Sequence, residues 1–286
     1  MVDGFLLVDK PTAWTSHDVI AKLRGILGMR KVGHAGTLDP MATGLLVVGL
    51  GKGTRLLRFV QDLPKEYQAT ALFGVATDSG DADGQVIADL PVAFTEEDLR
   101  GALSGFVGTI QQAPPAFSAI KRDGKRLHEL ARAGIAVEVE PRPVEIHELE
   151  LVEFVTPTAT LRVRCGKGAY IRVLADDIAK ALGTRAHLVA LCRVSSGGHS
   201  LDEATTIGEL EAASDPSSFV LTLAAGLGAL QSVQLPSSQR TTARHGGPIE
   251  SVPDMGQGPI AVLDGSDLVG VYRSDDDRLV PEVVVA

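Results

Sequence analysis

"KVGHAGTLDPMATGLLVVGLGKGTR" spans Lys31 to Arg55 and holds one carboxylate, Asp39, set between Leu38 and Pro40. Gly33, Gly36 and Gly44 surround it, and the next acid downstream is Asp62. A residue before proline is pushed out of the helical region, so Asp39 is expected to be extended. The glycines allow sharp turns and a close approach of a ligand to the backbone. The run Leu45-Leu46-Val47-Val48 that follows reads as a buried strand. The stretch therefore predicts a Gly-rich loop that presents one acid in a fixed pose. Such an acid can be a nucleophile, a lone base or a turn-capping acceptor. Spacing alone leaves the three open.

On the N-terminal side, "GFLLVDK" (Gly4 to Lys10) reads as a strand ending at Pro11. "TSHDVIAKLRGILG" reads as a helix. Thr15 and Asp18 have capping-box spacing, Val19, Leu23, Ile26 and Leu27 share an apolar face, and Gly28 suits the stop. On the C-terminal side, "TRLLRFVQDL" predicts a short amphipathic helix and "EYQATALFG" a strand. "TDSGDADG" reads as a tight acidic turn, and "TEEDLRGALSGF" as a helix with a capping-box start at Thr95. "QQAPPAFSAIKRDGKRLHELARAG" reads as an irregular arm followed by a basic helix. Strands are expected around Val144 to Phe154 and Ala159 to Cys165, then a helix in "YIRVLADDIAKALG" ended by Gly183. After about Gly226 Gly, Pro, Ser and Asp rise. Short apolar runs remain at Ile260 to Leu263, Leu268 to Tyr272 and Leu279 to Val285. The absence of a regular βαβ rhythm favours an α+β fold with a mainly antiparallel sheet. Residues 1–226 are expected to form the main domain and 227–286 a small β-rich one.

The chain has 286 residues, 44% of them hydrophobic and 22% charged, which fits a folded protein with a sizeable core. No apolar run is long enough to span a bilayer, and the first residues lack the marks of a signal peptide. Two cysteines, Cys165 and Cys192, suggest no disulfide scaffold, so a cytoplasmic location is expected. Seven histidines show no zinc-binding spacing, so no metal is expected. "GLGKGT" (Gly49 to Thr54) fails as a phosphate loop because Gly53 follows the lysine. One Asp-Ser-Gly at Asp78 falls short of the two carboxylates that aspartic proteases need.

Net charge is −9, yet it is unevenly spread. Residues 1–60 carry a net +4 and residues 201–286 a net −9. Lys121 to Arg132 holds five bases and two acids, and Arg162 to Arg193 seven and two. Local potential, not total charge, sets where a polyanion docks, so nucleic acid stays open as a partner. Tyr67 stands early in a predicted strand, and Tyr170 and Arg172 open a predicted helix after a Gly-Lys-Gly turn. A guanidinium can orient and ionise a carboxylate. A tyrosine can stack on a base. Taken singly, each of these is better read as structure, as half-buried packing or a surface charge.

Together the segments resemble the bacterial TruB-type tRNA pseudouridine synthases. The likeness covers most of the first 200 residues, in order. It rests on "DKPTAWTSHDV", "GHAGTLDPMATGLL", "KEYQATALFG", "TDSGDADG", "QAPPAFSAIKRDGKRLHELARAG", "GKGAYIRVLADDIA" and "AHLVALCRVSSG". Ala169 stands where the family commonly has Thr, and His128 where it commonly has Tyr. The resemblance implies the pseudouridine synthase fold with a small PUA-like C-terminal appendage. It implies isomerisation of the T-loop uridine of tRNA (position 55 in tRNA numbering) without cofactor or metal, by a monomer that binds the T-arm. Asp39 would be the nucleophile, at the sugar C1′ or at the base. Arg172 would pair with it, lowering its pKa and aiming it. Tyr67 would stack on the target base and take part in the later proton removal. Leu191 would pack against the base, Lys10 would support the first strand near the site, and Tyr170 and Lys121 would contact the RNA. His34 would fill the space left by the flipped nucleotide, whose flipping costs a few kcal/mol.

Two other classes compete. A non-catalytic RNA-binding or tRNA-folding module on the same fold has little need for Asp39, Tyr67 and Arg172 together. A small-molecule hydrolase or transferase using Asp39 is disfavoured by the basic arm and the lack of a second acid.

Overall fold

The computed structural model describes residues 2–115, 121–122, 125–126, 139–250 and 256–285. The basic helix expected after Arg126 lies outside them. In chain order the first elements are β1 (Gly4–Lys10), α1 (Ser16–Ile26), β2 (Val32–His34), β3 (Thr43–Leu50), α2 (Leu57–Asp62), β4 (Lys65–Phe73), β5 (Val75–Thr77), β6 (Val86–Asp89), α3 (Glu96–Leu103) and β7 (Gly108–Gln112). Then come β8 (Lys121–Arg122), β9 (Lys125–Arg126), β10 (Arg142–Val155), β11 (Thr158–Cys165), α4 (Ile171–Ala181), β12 (Ala186–Ser196), β13 (His199–Ser200), β14 (Thr205–Thr206) and α5 (Ile207–Ala212). The last are β15 (Gln231–Gln234), α6 (Arg240–Arg244), β16 (Ile249–Glu250), β17 (Ile260–Asp264), β18 (Asp267–Asp275) and β19 (Arg278–Val284). The chain falls into two compact units. One comprises Met1–Pro40, Gly44–Leu63 and Ser195–Ala286, the other Met41–Thr43 and Pro64–Val194.

The first unit is built on β1 and β3, which pair antiparallel with Leu6 opposite Val48 and Leu7 opposite Val47. Neither strand alternates apolar with polar, because both faces are buried. Phe5, Leu7, Leu45 and Val47 point into one apolar cluster. Their neighbours Leu6, Val8, Leu46 and Val48 point into another with Val19, Ile20 and Leu23 of α1. Each such side chain contributes roughly 1.5–3 kcal/mol on burial. α1 opens with the expected capping box: Thr15 accepts from the Asp18 N–H, and the Asp18 side chain accepts from the Thr15 N–H.

Ala261, Leu268, Val271 and Val283 of the C-terminal sheet share the first cluster with Phe5 and Leu45. That sheet has five strands in the order β15-β17-β18-β19-β16, and the three expected apolar runs form β17, β18 and β19. Polar anchors flank it. Lys52 Nζ donates to the Val285 carbonyl at 2.6 Å, Arg55 Nη1 to the Val284 carbonyl at 2.8 Å, and Arg58 pairs with Glu282 at 3.1 Å. Gly226 lies against the ring of Phe5 so closely that a Cβ there would overlap it.

In the second unit the strand order is β12-β4-β11-β10-β7. β4 alternates as expected, with Lys65, Tyr67, Ala69, Ala71 and Phe73 turned inward. The Phe94 ring meets that of Phe73 edge-on at 5.0 Å and that of Phe154 at a tilt at 5.8 Å. The strands expected at Val144 and Ala159 form β10 and β11, and α3 opens with the capping box at Thr95. The sequence offers no element at 186–196. β12 forms there with an irregular inward pattern that includes the fully buried Arg193. In the arm, Lys121–Arg122 and Lys125–Arg126 pair antiparallel.

α4 is tied to the start of β12 by Asp176. Its Oδ1 accepts from Arg185 Nε at 2.7 Å and its Oδ2 from Arg185 Nη2 at 3.0 Å. Burial pushes the Asp176 carboxyl up, but hydrogen bonds from Arg185, Lys180 and the Ala186 N–H outweigh it and hold the group below its usual range. A depressed carboxylate stabilises the fold above its unfolded pKa, and that share is lost as pH falls through the folded value. Asp176→Asn is therefore expected to cost about 1–2 kcal/mol at pH 7. It should also flatten the loss of stability below about pH 4. Thermal unfolding between pH 3 and 7 checks both. Equal acid sensitivity of the two proteins would refute the assignment.

Candidate active site

Asp39 lies in the loop between β2 and β3 and is half-buried. The loop leaves β2 through Gly36 (φ 103°) and enters β3 through Gly44 (φ 96°), conformations that other residues seldom adopt. Both chain neighbours of Asp39 are held. The Leu38 N–H donates to Ser16 Oγ at 2.9 Å, and Ser16 Oγ donates back to the Leu38 carbonyl at 3.3 Å. The Pro40 carbonyl accepts from the Ala13 N–H at 2.9 Å and from Lys10 Nζ at 3.3 Å. Lys10 also donates to the carbonyls of Pro11 at 2.9 Å and Trp14 at 2.6 Å. A lysine ammonium has three donors. Here they gather three backbone carbonyls at the end of β1, so this fully buried side chain braces the loop that carries the acid. His34 ends β2, with its ring edge-on to that of His17 at 6.3 Å.

These three expected residues, Lys10, His34 and Asp39, belong to the first unit. Tyr67, Tyr170, Arg172 and Leu191 belong to the second. Tyr67 and Leu191 are both buried and stand on β4 and β12, which are adjacent strands. Arg172 occupies the first turn of α4 and is only 4% exposed. Its Nη1 donates to the Ser79 carbonyl at 2.5 Å and lies 3.4 Å from Asp81 Oδ2. Asp81 is in turn oriented. Its Oδ1 accepts from Ser79 Oγ at 2.5 Å, and its carbonyl accepts from Thr77 Oγ1 at 2.7 Å. The backbone of Tyr170 bonds to the side chain of Gln112. Lys121 lies on β8.

The acidic turn is where the sequence reading missed most. It sees three carboxylates, Asp78, Asp81 and Asp83, and no way to choose between them. Tertiary contact singles out Asp81, because this acid meets a buried guanidinium that needs a charge partner. Ser16 and Gln112 are missed for a similar reason. Each looks like a helix-cap or arm residue until the chain it bonds to is known.

The sequence profile of the TruB family pseudouridylate synthase N-terminal domain matches residues 24–171. The chain belongs to the TruB family of pseudouridylate synthases. A relative from Opitutus terrae, named tRNA pseudouridine synthase B, is 50% identical over 212 residues, 74% of this chain and 88% of that protein. A protein of the same name from an Azoarcus species is 42% identical over 290 residues, 100% of this chain and 96% of its own. Among solved structures, a Cbf5-Nop10-Gar1 complex holds a chain that superposes with a TM-score of 0.76 at 23% identity, covering 99% of this chain and 84% of that one. At that identity the likeness is one of fold. It places this TruB-family chain in the α+β class expected, with the small β-rich C-terminal sheet included. No helix among the described residues is long and apolar enough to cross a membrane.

Proposed function

We propose that this chain isomerises a tRNA uridine, the T-loop uridine at position 55, to pseudouridine, with Asp39 as the nucleophile. The observation that carries the reading is the bracing of Leu38 and Pro40, which fixes a lone carboxylate in a chain of this family. Relatives matched over most of their length carry the name tRNA pseudouridine synthase B.

The chemistry balances within the substrate. The N1–C1′ bond breaks, the uracil turns, and a C5–C1′ bond forms. The C5 proton leaves, N1 gains a proton, and no electrons are exchanged with another molecule. Asp39 attacks C1′ or the base. Arg172, already oriented by Ser79 and Asp81, keeps Asp39 ionised and aimed. Tyr67 stacks on the flipped base and takes part in removing the C5 proton, and Leu191 packs against it. His34 fills the gap that flipping leaves. Lys121 and Tyr170 contact the T-arm, and the basic segments hold phosphates. Lys10 serves the RNA indirectly by bracing the loop. Residues 227–286 act as a PUA-like domain docked on the core, and the enzyme works as a cytoplasmic monomer.

The test is incubation of the purified protein with unmodified tRNA transcript, without added metal or cofactor. Pseudouridine is then mapped by carbodiimide-blocked primer extension. One stop at the T-loop uridine is expected. Tight binding with no stop would replace this reading with the tRNA-folding module.

A further inference from the structure

Three helices open with a threonine capping box, at Thr15 before α1, Thr95 before α3 and Thr206 before α5. α4, the helix that carries Arg172, opens at Tyr170 with no side-chain cap from that residue. A helix start leaves backbone N–H groups that need partners. In a capping box the N-cap N–H is met by the acid three residues on. At α4 the partner comes from 58 residues away. Gln112, the last residue of β7 and 1% exposed, accepts from the Tyr170 N–H through Oε1 at 3.0 Å. Its Nε2 donates to the Tyr170 carbonyl at 3.3 Å. That same carbonyl accepts from the Leu174 N–H at 3.0 Å and so closes the first turn of the helix.

One planar amide thus holds both backbone polar atoms of the N-cap residue. The contact falls at the residue where α4 begins. Arg172 is two residues on, and its Nη1 reaches the Ser79 carbonyl from that first turn. We infer that Gln112 is a positioning residue for Arg172, setting the first turn of α4 so that the guanidinium meets its partners. The inference rests on the proposed role of Arg172 in the reaction. Gln112 itself has no contact with a reacting atom in the proposed reaction. Its effect passes through the helix start.

Gln112→Met keeps the bulk and removes both hydrogen bonds. Its single-turnover rate, read as tritium release from a transcript labelled at uridine C5, is expected to fall about 10- to 100-fold, as misplacement by ~1 Å can do. The tRNA Kd should stay within about 2-fold, since the loss falls on the rate and not on ground-state binding. In an Arg172→Lys background the same change should cost less than about 2-fold, because two residues acting as one unit are not additive. A general role in folding would instead cost the same in both backgrounds. Should Gln112→Met not fold, Gln112→Asn serves with the same pair of backgrounds. It keeps the amide one methylene short, and a rate loss of about 3- to 10-fold is expected. Wild-type rate in the folded variant, or equal losses in both backgrounds, would overturn the inference. A wild-type chain that forms no pseudouridine overturns the parent reading, and this one with it.

Discussion

Asp39→Asn is expected to bind tRNA as the unaltered chain does and to lose product formation by at least about 10⁴-fold, the scale of removing a covalent nucleophile. The substitution is nearly isosteric. It leaves the bracing of the loop in place, because Ser16 bonds to the backbone of Leu38 and Lys10 and Ala13 bond to the carbonyl of Pro40. None of these contacts uses the Asp39 carboxylate, so its loss should not let the loop collapse. What is lost is the anionic oxygen. A neutral amide cannot attack an electron-poor carbon at a useful rate. Tritium release from C5-labelled transcript and filter binding, run side by side, check the two halves. Turnover near that of the unaltered chain would remove Asp39 from the mechanism. Lost binding with a lowered melting temperature would make it a loop-forming residue instead.

Arg172→Lys is expected to lower the single-turnover rate by about 10²- to 10³-fold, the usual cost of losing one fixed electrostatic partner of the reacting groups. The charge is conserved, so a purely long-range role would survive the change. The geometry is not conserved. Arg172 Nη1 serves the Ser79 carbonyl and stands by Asp81, two partners that a rigid planar fork can meet at once. A lysine is a single compact ammonium on a flexible stem, which satisfies one partner at a time. Asp81 would then be left as a buried carboxylate with a weaker partner, so a modest fall in melting temperature should accompany the rate loss. The tRNA Kd should change by less than about 3-fold, because the loss falls on the transition state. A rate within a few-fold of the unaltered chain would mean that charge alone matters at this position.

Much of the fold is legible in the sequence, and for local reasons. β1 is expected at Gly4 to Lys10 and forms at Gly4–Lys10. The capping boxes at Thr15 and Thr95 are read from a spacing of three residues and form as read. The strands at Val144 and Ala159, and the three apolar runs of the tail, are marked by composition over four to eleven residues and form β10, β11, β17, β18 and β19. β12 is not legible. Arg193 and Ser196 face inward there, so polar residues occupy positions that an alternation rule reserves for apolar ones. The residues of the site are legible as types through the family resemblance, but the groups that hold them are not.

The chain by itself determined where turns, caps and apolar runs fall, because those depend on residues within a few positions of one another. It also determined that a single acid would stand in a Gly-rich loop before a core strand. Tertiary structure alone decided what braces that acid and what grips the arginine. Ser16 meets Leu38 across 22 residues, Gln112 meets Tyr170 across 58, and Arg172 meets Ser79 across 93. No local period encodes contacts at such separations. They form because buried polar groups must find partners once the chain has closed around them.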